Sequence, residues 1–340
     1  LPAHEHGHVG VGELCGETSY SMKTILITGA AGFIGSRICE LLANTGTAVV
    51  AIDNFDPYYD VSLKRYRWNR LQPLDHVECL ELDITNLPAL ESLFEAHSFD
   101  AVVNMAAMAG VRFSIENPVK YFRVNAQGFA GLLETMRKYG VTQVVQASTS
   151  SLYAGLPMPF LETLDVRAPI SPYAASKLGA EALGYTYTHL HGFDVTVLRY
   201  FTVYGPAGRP DMAPFRFAEW CLRGEEIQLF GDGKQSRDFT YVDDIALGTI
   251  AALQKRLPGF EIINLGGGGE RTTILEIIEM IGEFAGQAAK IKFLPVAQGD
   301  MLHTSASIQK ANKKLDWHPV YSLSVGLREM IQWHEEYNKG

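Results

Sequence analysis

Short apolar runs alternate with longer amphipathic stretches over the first two hundred residues. The runs fall at residues 24–28, 48–52, 77–82, 101–105, 144–147 and 195–198. Between them, residues 33–44, 87–96 and 119–139 carry apolar positions at helical spacing. Brief, continuously apolar runs read as strands buried on both faces, and the helices between them read as crossovers. The pattern predicts an α/β fold built on a doubly wound parallel sheet.

Beyond residue 200 the texture changes, with Gly205, Pro206, Gly208, Pro210 and Pro214 crowded together. Residues 201–340 are expected to form a smaller C-terminal α/β lobe that closes over a ligand at the carboxyl ends of the strands. Segments 239–242 and 262–265 are expected to return to the main sheet. No flexible linker separates the halves, so they should pack together. No internal repeat or low-complexity tract occurs.

Composition narrows the class. The 340 residues are 47% hydrophobic and 20% charged, an ordinary globular balance. A formal charge of −9 speaks against a nucleic-acid partner. The four cysteines, Cys15, Cys39, Cys79 and Cys221, form no close pair, so neither a disulfide framework nor a zinc site is expected, and a cytoplasmic setting fits. No apolar stretch is long enough to span a membrane. Residues 1–22 lack the features of a signal peptide and read as an N-terminal extension. The alternation His4, His6, His8 within them reads as a tag remnant or frayed tail, with a metal site as the other reading, and no metal is expected.

Candidate chemistry begins where the first strand meets Gly29-Ala30-Ala31-Gly32-Phe33-Ile34-Gly35. Gly29 permits a tight turn, Gly32 a close backbone approach to a pyrophosphate, and Gly35 close helix–strand packing. Backbone N–H groups at the start of the helix, from Phe33 and Ile34 onward, would face the phosphates. Asp53 ends the next strand, 24 positions after Gly29. A carboxylate there accepts bonds from an adenosine ribose and repels a 2′-phosphate, which favours NAD. Residues 23–200 are therefore read as an NAD-binding Rossmann domain. Asp83 and Ile84 end the third strand, where an adenine would lie; a helix cap is the other reading of Asp83. Lys64, Arg65, Arg67 and Arg70 are expected to be a solvated helix face. The glycines at 266–269 read as a loop.

Tyr173 and Lys177 lie four apart, one helical turn on the same face. A phenol is a usable base near neutral pH only if its pKa falls, and a nearby ammonium is expected to lower it by roughly one to three units. The pair sits about 140 residues after the glycine loop and follows Ser148-Thr149-Ser150-Ser151 at a strand end. Those hydroxyls can bond a substrate oxygen and steady a proton path.

In these residues the chain resembles the extended short-chain dehydrogenase/reductases, and within them the UDP-glucuronate 4-epimerases. The matching text is TGAAGFIGS at 28–36, DNFDPYYDVSLKR at 53–65, AAMAGVRFSIENP at 106–118 and STSSLY at 148–153. It continues with SPYAASK at 171–177, RYFTVYGPAGRPDM at 199–212, GDGKQSRDFTYVDD at 231–244 and QGD at 298–300. The resemblance runs from about residue 23 to the C-terminus. It implies that Tyr173 is the general base, that Lys177 contacts the nicotinamide ribose, and that Thr149 sits beside the reacting sugar oxygen. Ala106 and Ala107 give the cofactor room. Thr202 stands where glucose/galactose epimerases usually carry Asn. Phe230 matches a uridine-stacking residue, Arg237 a diphosphate-binding arginine and Asp300 a ribose-binding carboxylate. Arg209 resembles a substrate-side arginine of the hexuronate branch. Arg112 would face the sugar or diphosphate, or serve structure alone. Two departures stand out: Ala154 intervenes between Tyr153 and Gly155, and Asn104-Met105 replaces the commoner His-Leu.

The activity implied is oxidation and re-reduction at C4 of a UDP-hexuronate, with NAD retained between turnovers. A C4 ketone makes the C6 carboxylate a β-keto acid, so the carboxylate must be held out of line with the carbonyl π system. Thr149, Ser150, Ser151 and Thr202 are candidates for that work, with Arg209 orienting the group. Related decarboxylases place Glu where this chain has Ser151, and dehydratases carry an acid pair after the Thr position. The rival readings are a UDP-glucose/galactose epimerase, an N-acetylhexosamine or N-acetylhexuronate epimerase, and a non-catalytic NAD-binding sensor. The resemblance also implies a homodimer, joined through the helix holding Tyr173 and the one near 119–139.

Overall fold

The computed structural model describes residues 24–268, 271–295 and 303–339. The N-terminal extension with its three histidines, and Asp300, lie outside them. In chain order the first half runs β1 (Thr24–Thr28), α1 (Phe33–Ala43), β2 (Ala48–Asp53), α2 (Val61–Leu71), β3 (Val77–Glu81), α3 (Leu87–Ala96) and β4 (Ala101–Asn104). Helices α4 (Val111–Glu116) and α5 (Pro118–Phe122), a π-turn (Arg123–Gly128) and α6 (Phe129–Lys138) lead to β5 (Gln143–Thr149). Then come α7 (Pro172–His191) and β6 (Asp194–Tyr200).

The second half begins with β7 (Thr202–Tyr204), α8 (Ala213–Leu222), β8 (Glu226–Phe230), β9 (Ser236–Arg237) and β10 (Phe239–Tyr241). It continues through α9 (Val242–Lys255), β11 (Phe260–Leu265), β12 (Thr272–Thr273), α10 (Ile274–Phe284), β13 (Lys290–Leu294), α11 (Gln309–Leu315) and α12 (Leu323–Tyr337). No described helix is long and apolar enough to cross a membrane.

The central sheet has seven strands in the order β11-β6-β5-β4-β1-β2-β3, and every pairing in it is parallel. Alternate residues of β1 feed opposite faces. Ile25 and Ile27 pack with α1 and α9, while Leu26 packs with α3, α6 and α7. The strand order reverses between β2 and β4, on either side of β1, and that crevice is where a doubly wound sheet receives its ligand.

Segment 262–265 joins the main sheet within β11. Segment 239–242 does not: its strand β10 pairs with β7 in a separate parallel ladder, which ties the chain after β6 to the start of α9. The helix expected over 119–139 is interrupted by the π-turn. Asn125 within that turn is buried; its amide donates to the Met108 carbonyl and Ser176 Oγ, and its oxygen accepts from Met108 N–H. The extra residue in the turn thus locks the loop after β4 to α7.

The basic cluster on α2 is not a solvated face. Arg65 and Arg70 are exposed, but Lys64 is 8% and Arg67 2% exposed. The Arg67 guanidinium donates to the carbonyls of Ala31, Ala207 and Gly208 and to the Tyr59 hydroxyl. Lys64 donates to the Asp56 carbonyl. A buried cation is tolerated because neutral oxygens replace its water.

Candidate active site

A cleft of about 390 Å³ opens at the carboxyl ends of β1, β2, β4 and β5, a size suited to a small-molecule ligand. The glycine loop forms one wall. Gly29 has φ +67°, and a Cβ there would lie 2.6 Å from the Ala106 nitrogen. A Cβ on Gly35 would lie 2.3 Å from the Gly29 carbonyl oxygen. Larger residues at either place would force the loop away from β4 or lift α1 off β1. Helix α1 starts at Phe33 behind Gly32, with no side-chain cap and no acid in its first turn. Its positive end therefore meets the cleft without a competing carboxylate, and Gly32, Phe33, Ile34 and Gly35 all line it.

Asp53 is buried at the end of β2. Its oxygens accept from Ala31 N–H at 3.0 Å and Phe55 N–H at 2.8 Å. Burial pushes its carboxyl above the ordinary value, against the pull of Lys64 and of those two amides. Asp83 does not cap α3, whose N-cap is Asn86. Instead it accepts from the Thr85 amide and hydroxyl and from the Asn54 amide. Burial pushes Asp83 up, but those bonds outweigh it and hold the carboxyl below its usual range. Ile84, Ala106 and Ala107 complete this end of the cleft. Space at two glycines, an uncapped helix start and a carboxylate after β2 together fit a dinucleotide.

The other end is built on α7. Ser171 accepts from the Ala174 amide, and Pro172 starts the helix. One turn apart, Tyr173 and Lys177 both reach the cleft wall. Lys177 Nζ donates to the Ala147 carbonyl at 2.9 Å. Burial lowers its pKa to about 8, against the opposing charge of Glu181. Glu181 grips Arg199 with both oxygens, at 2.9 and 2.6 Å, and accepts from Ser148 Oγ at 2.6 Å. This buried pair ties α7 to β5 and β6.

The tuning of Tyr173 differs from the expectation. Burial pushes the phenol up; a hydrogen bond with Thr149 and the charge of Arg209 pull it back, and Asp211 opposes them. Lys177 Nζ is turned to the Ala147 carbonyl, and the cation that pulls on the phenol is Arg209. Thr149 closes β5, where its Oγ1 accepts from the Ser151 amide at 3.1 Å. Ser150 and Ser151 follow in a single 3₁₀ turn along the same wall, and Thr202 faces the cleft from the start of β7.

Arg209 lines the cleft from the loop after β7 and forms a fork with Asp211, Nε at 3.0 Å and Nη2 at 2.5 Å. Arg237 also lines it and donates to the Ser236 carbonyl. Two expected residues do not reach the wall. Arg112 sits on the exposed start of α4, with its guanidinium 4.9 Å from the ring centroid of Phe230 at the end of β8. Sequence reasoning passed over Tyr58, Asp211 and Glu181. The first two lay inside quoted phrases with no spacing to single them out. Glu181 stands four residues after Lys177, and that helical spacing could have found it.

The profile of the NAD dependent epimerase/dehydratase family matches residues 25–266, and the chain belongs to that family. It is 50% identical over 315 residues to the UDP-glucuronate 4-epimerase of Thermodesulfobacterium geofontis, covering 93% of this chain and 97% of that protein. Among solved structures it resembles the UDP-glucuronic acid 4-epimerase from Bacillus cereus in complex with UDP-glucuronic acid and NAD. There the TM-score is 0.86 at 37% identity, over 92% of this chain and 99% of that one. The UDP-glucose 4-epimerase of Thermotoga maritima with UDP-glucose gives a TM-score of 0.84 at 31% identity, over 93% of this chain and 99% of that one.

Proposed function

We propose that this protein interconverts UDP-glucuronate and UDP-galacturonate at C4, using NAD held in the same cleft. The observation that carries the reading is the meeting of a phenol, a hydroxyl and a guanidinium, those of Tyr173, Thr149 and Arg209, at one end of a dinucleotide-shaped cleft. The half of the chain over 23–200 would hold the cofactor through Gly29, Gly32, Gly35 and Asp53. The half over 201–340 would hold the UDP-sugar. When bound, NAD supplies the reversible acceptance and return of the C4 hydride.

Tyr173 accepts the proton of the 4-hydroxyl and returns it after the keto sugar has turned over. Thr149 stands against the phenol and holds the strand-end turn, so it would fix the geometry of proton transfer. Lys177, held by the Ala147 carbonyl, would contact the nicotinamide ribose. Ser150, Ser151 and Thr202 offer neutral hydroxyls to the C6 carboxylate, which keeps its C–C bond out of line with the carbonyl. Arg237 faces the diphosphate, and Arg112 with Phe230 offers a stacking surface for the uracil. A homodimer through α5, α6 and α7 is supported by the exposed apolar side chains Val119, Phe122, Tyr185 and Leu190. Three free cysteines among the described residues support a reducing, cytoplasmic setting.

The test is proton NMR of the purified protein with UDP-glucuronate and no added NAD. New UDP-galacturonate signals with no pentose support the epimerase and a co-purifying cofactor. A UDP-pentose would mean decarboxylation. No change even with NAD, on UDP-glucuronate and then on UDP-glucose, would favour a sensor. A second prediction concerns Ser151→Glu. An acid at that wall should slow epimerisation and raise the share of UDP-pentose in the same spectra. Unchanged rate and product partition would remove Ser151 from the carboxylate site.

A further inference from the structure

We infer that Asp211, steadied by Tyr58, is a positioning residue that keeps the Arg209 guanidinium on the cleft wall and out of a clamp on the substrate's carboxylate. The inference rests on the UDP-hexuronate reading above and names how that site handles its acid group. Asp211 takes the Nε–Nη2 edge of Arg209 as a fork, and the Tyr58 hydroxyl donates to the same Asp211 Oδ2 at 3.0 Å. Tyr58 is itself confined: a Cβ on Gly110 would lie 2.4 Å from its hydroxyl oxygen. Loops following β2, β4 and β7 therefore meet at this one carboxylate. Burial pushes Asp211 up, but Arg209 and Tyr58 outweigh it, so the group stays ionised below the ordinary carboxylate range.

The chemistry explains why a neutralised arginine is useful here. An unpartnered guanidinium binds a carboxylate bidentately and strongly. A 4-keto sugar must show both faces to one hydride position, so its C6 carboxylate has to swing during each turnover. A guanidinium whose fork is already filled can guide that group without arresting it. The same pair sets the field at the base. The charged and titratable groups around the Tyr173 phenol are Arg209 and Asp211 from the loop after β7 and Tyr121, whose ring centroid lies 6.0 Å away, with Lys177 one turn along its own helix and turned to the Ala147 carbonyl. Tyr58 and Arg67 complete the surroundings of Arg209. Of these, Asp211 is the one anion.

The test uses the NAD-loaded enzyme and its Asp211→Asn variant. Calorimetry gives Kd for UDP-glucuronate and for UDP-glucose, and kcat and kcat/KM for UDP-glucuronate are followed against pH. With the fork released, UDP-glucuronate should bind roughly tenfold tighter while UDP-glucose is unchanged, and kcat should fall by a similar factor. Loss of a negative charge near the phenol favours phenolate, so the acid limb of kcat/KM should move to lower pH. An equal change for both sugars, or an acid limb that stays in place, would overturn the inference. If Asp211→Asn does not fold, Tyr58→Phe must show the same discrimination at roughly twofold; no discrimination there overturns it as well. A wild-type enzyme that binds UDP-glucuronate without epimerising it would sink the functional reading instead, and the Asp211 effect on binding would still be measurable.

Discussion

Tyr173→Phe will lower kcat for UDP-glucuronate by roughly a thousandfold while leaving substrate binding within a few-fold of wild type. The ring stays, so the edge-to-face contact with Tyr121 and the packing of α7 survive. What goes is the only oxygen on the ring that can take the 4-hydroxyl proton. Thr149 cannot replace it, because an aliphatic hydroxyl is a far weaker acid than a phenol and its oxygen already accepts from the Ser151 amide. Loss of kcat with KM preserved is the mark of a group acting in the transition state alone. The measurement is single-turnover NMR of the variant, with calorimetry for binding. A kcat within tenfold of wild type would take the base assignment away from Tyr173.

Glu181→Gln is expected to damage both stability and chemistry. The Arg199 and Glu181 side chains are 1% and 4% exposed, and the fork between them joins α7 to β6. Removing one partner strands a buried charge, which costs about 3–5 kcal/mol. At about 2.1 cal/mol/K of unfolding entropy per residue, a chain of 340 residues shifts by about 1.4 °C per kcal/mol, so Tm should fall by roughly 5 °C. Glu181 also supplies the opposing charge that keeps the Lys177 pKa from falling further than about 8. Without it burial acts unopposed, so Lys177 loses its proton at lower pH and the alkaline limb of activity moves down. Glu181→Gln combined with Arg199→Met separates the two effects. The double variant should regain much of the Tm, since no cation is left unpaired, but keep the shifted limb. Recovery of the pH profile along with stability would show that Glu181 has no influence on Lys177.

The sheet was readable because parallel strands buried on both faces have no polar alternation to blur them. β4 and β5 are buried at every position, and their runs are visible in the sequence. The YxxxK pair was readable because helical spacing is local. The α2 cations were misread for the opposite reason. Arg67 is buried by carbonyls 36, 140 and 141 positions away, and nothing within the helix signals their approach. The second lobe was opaque because its ladders are short and long-range; β9 and β12 have two residues each. The field at Tyr173 was only partly legible, since the burial that pushes the phenol up comes from the tertiary fold. The near cation in sequence, Lys177, is turned to a strand-end carbonyl, while Arg209 arrives from another loop. Arg112 and Phe230 were each expected to face a ligand; that the guanidinium also lies over the ring was not legible, because the two are far apart in the chain.

Arg67 holds Ala31 on the loop that would cradle the dinucleotide, and it also holds Ala207 and Gly208, next to Arg209 on the sugar side. One guanidinium is thus a rivet through two walls that would otherwise be set separately. The glycine loop and the arm carrying Arg209 share one set of hydrogen bonds, so a substitution that removes the Arg67 guanidinium would loosen both walls together.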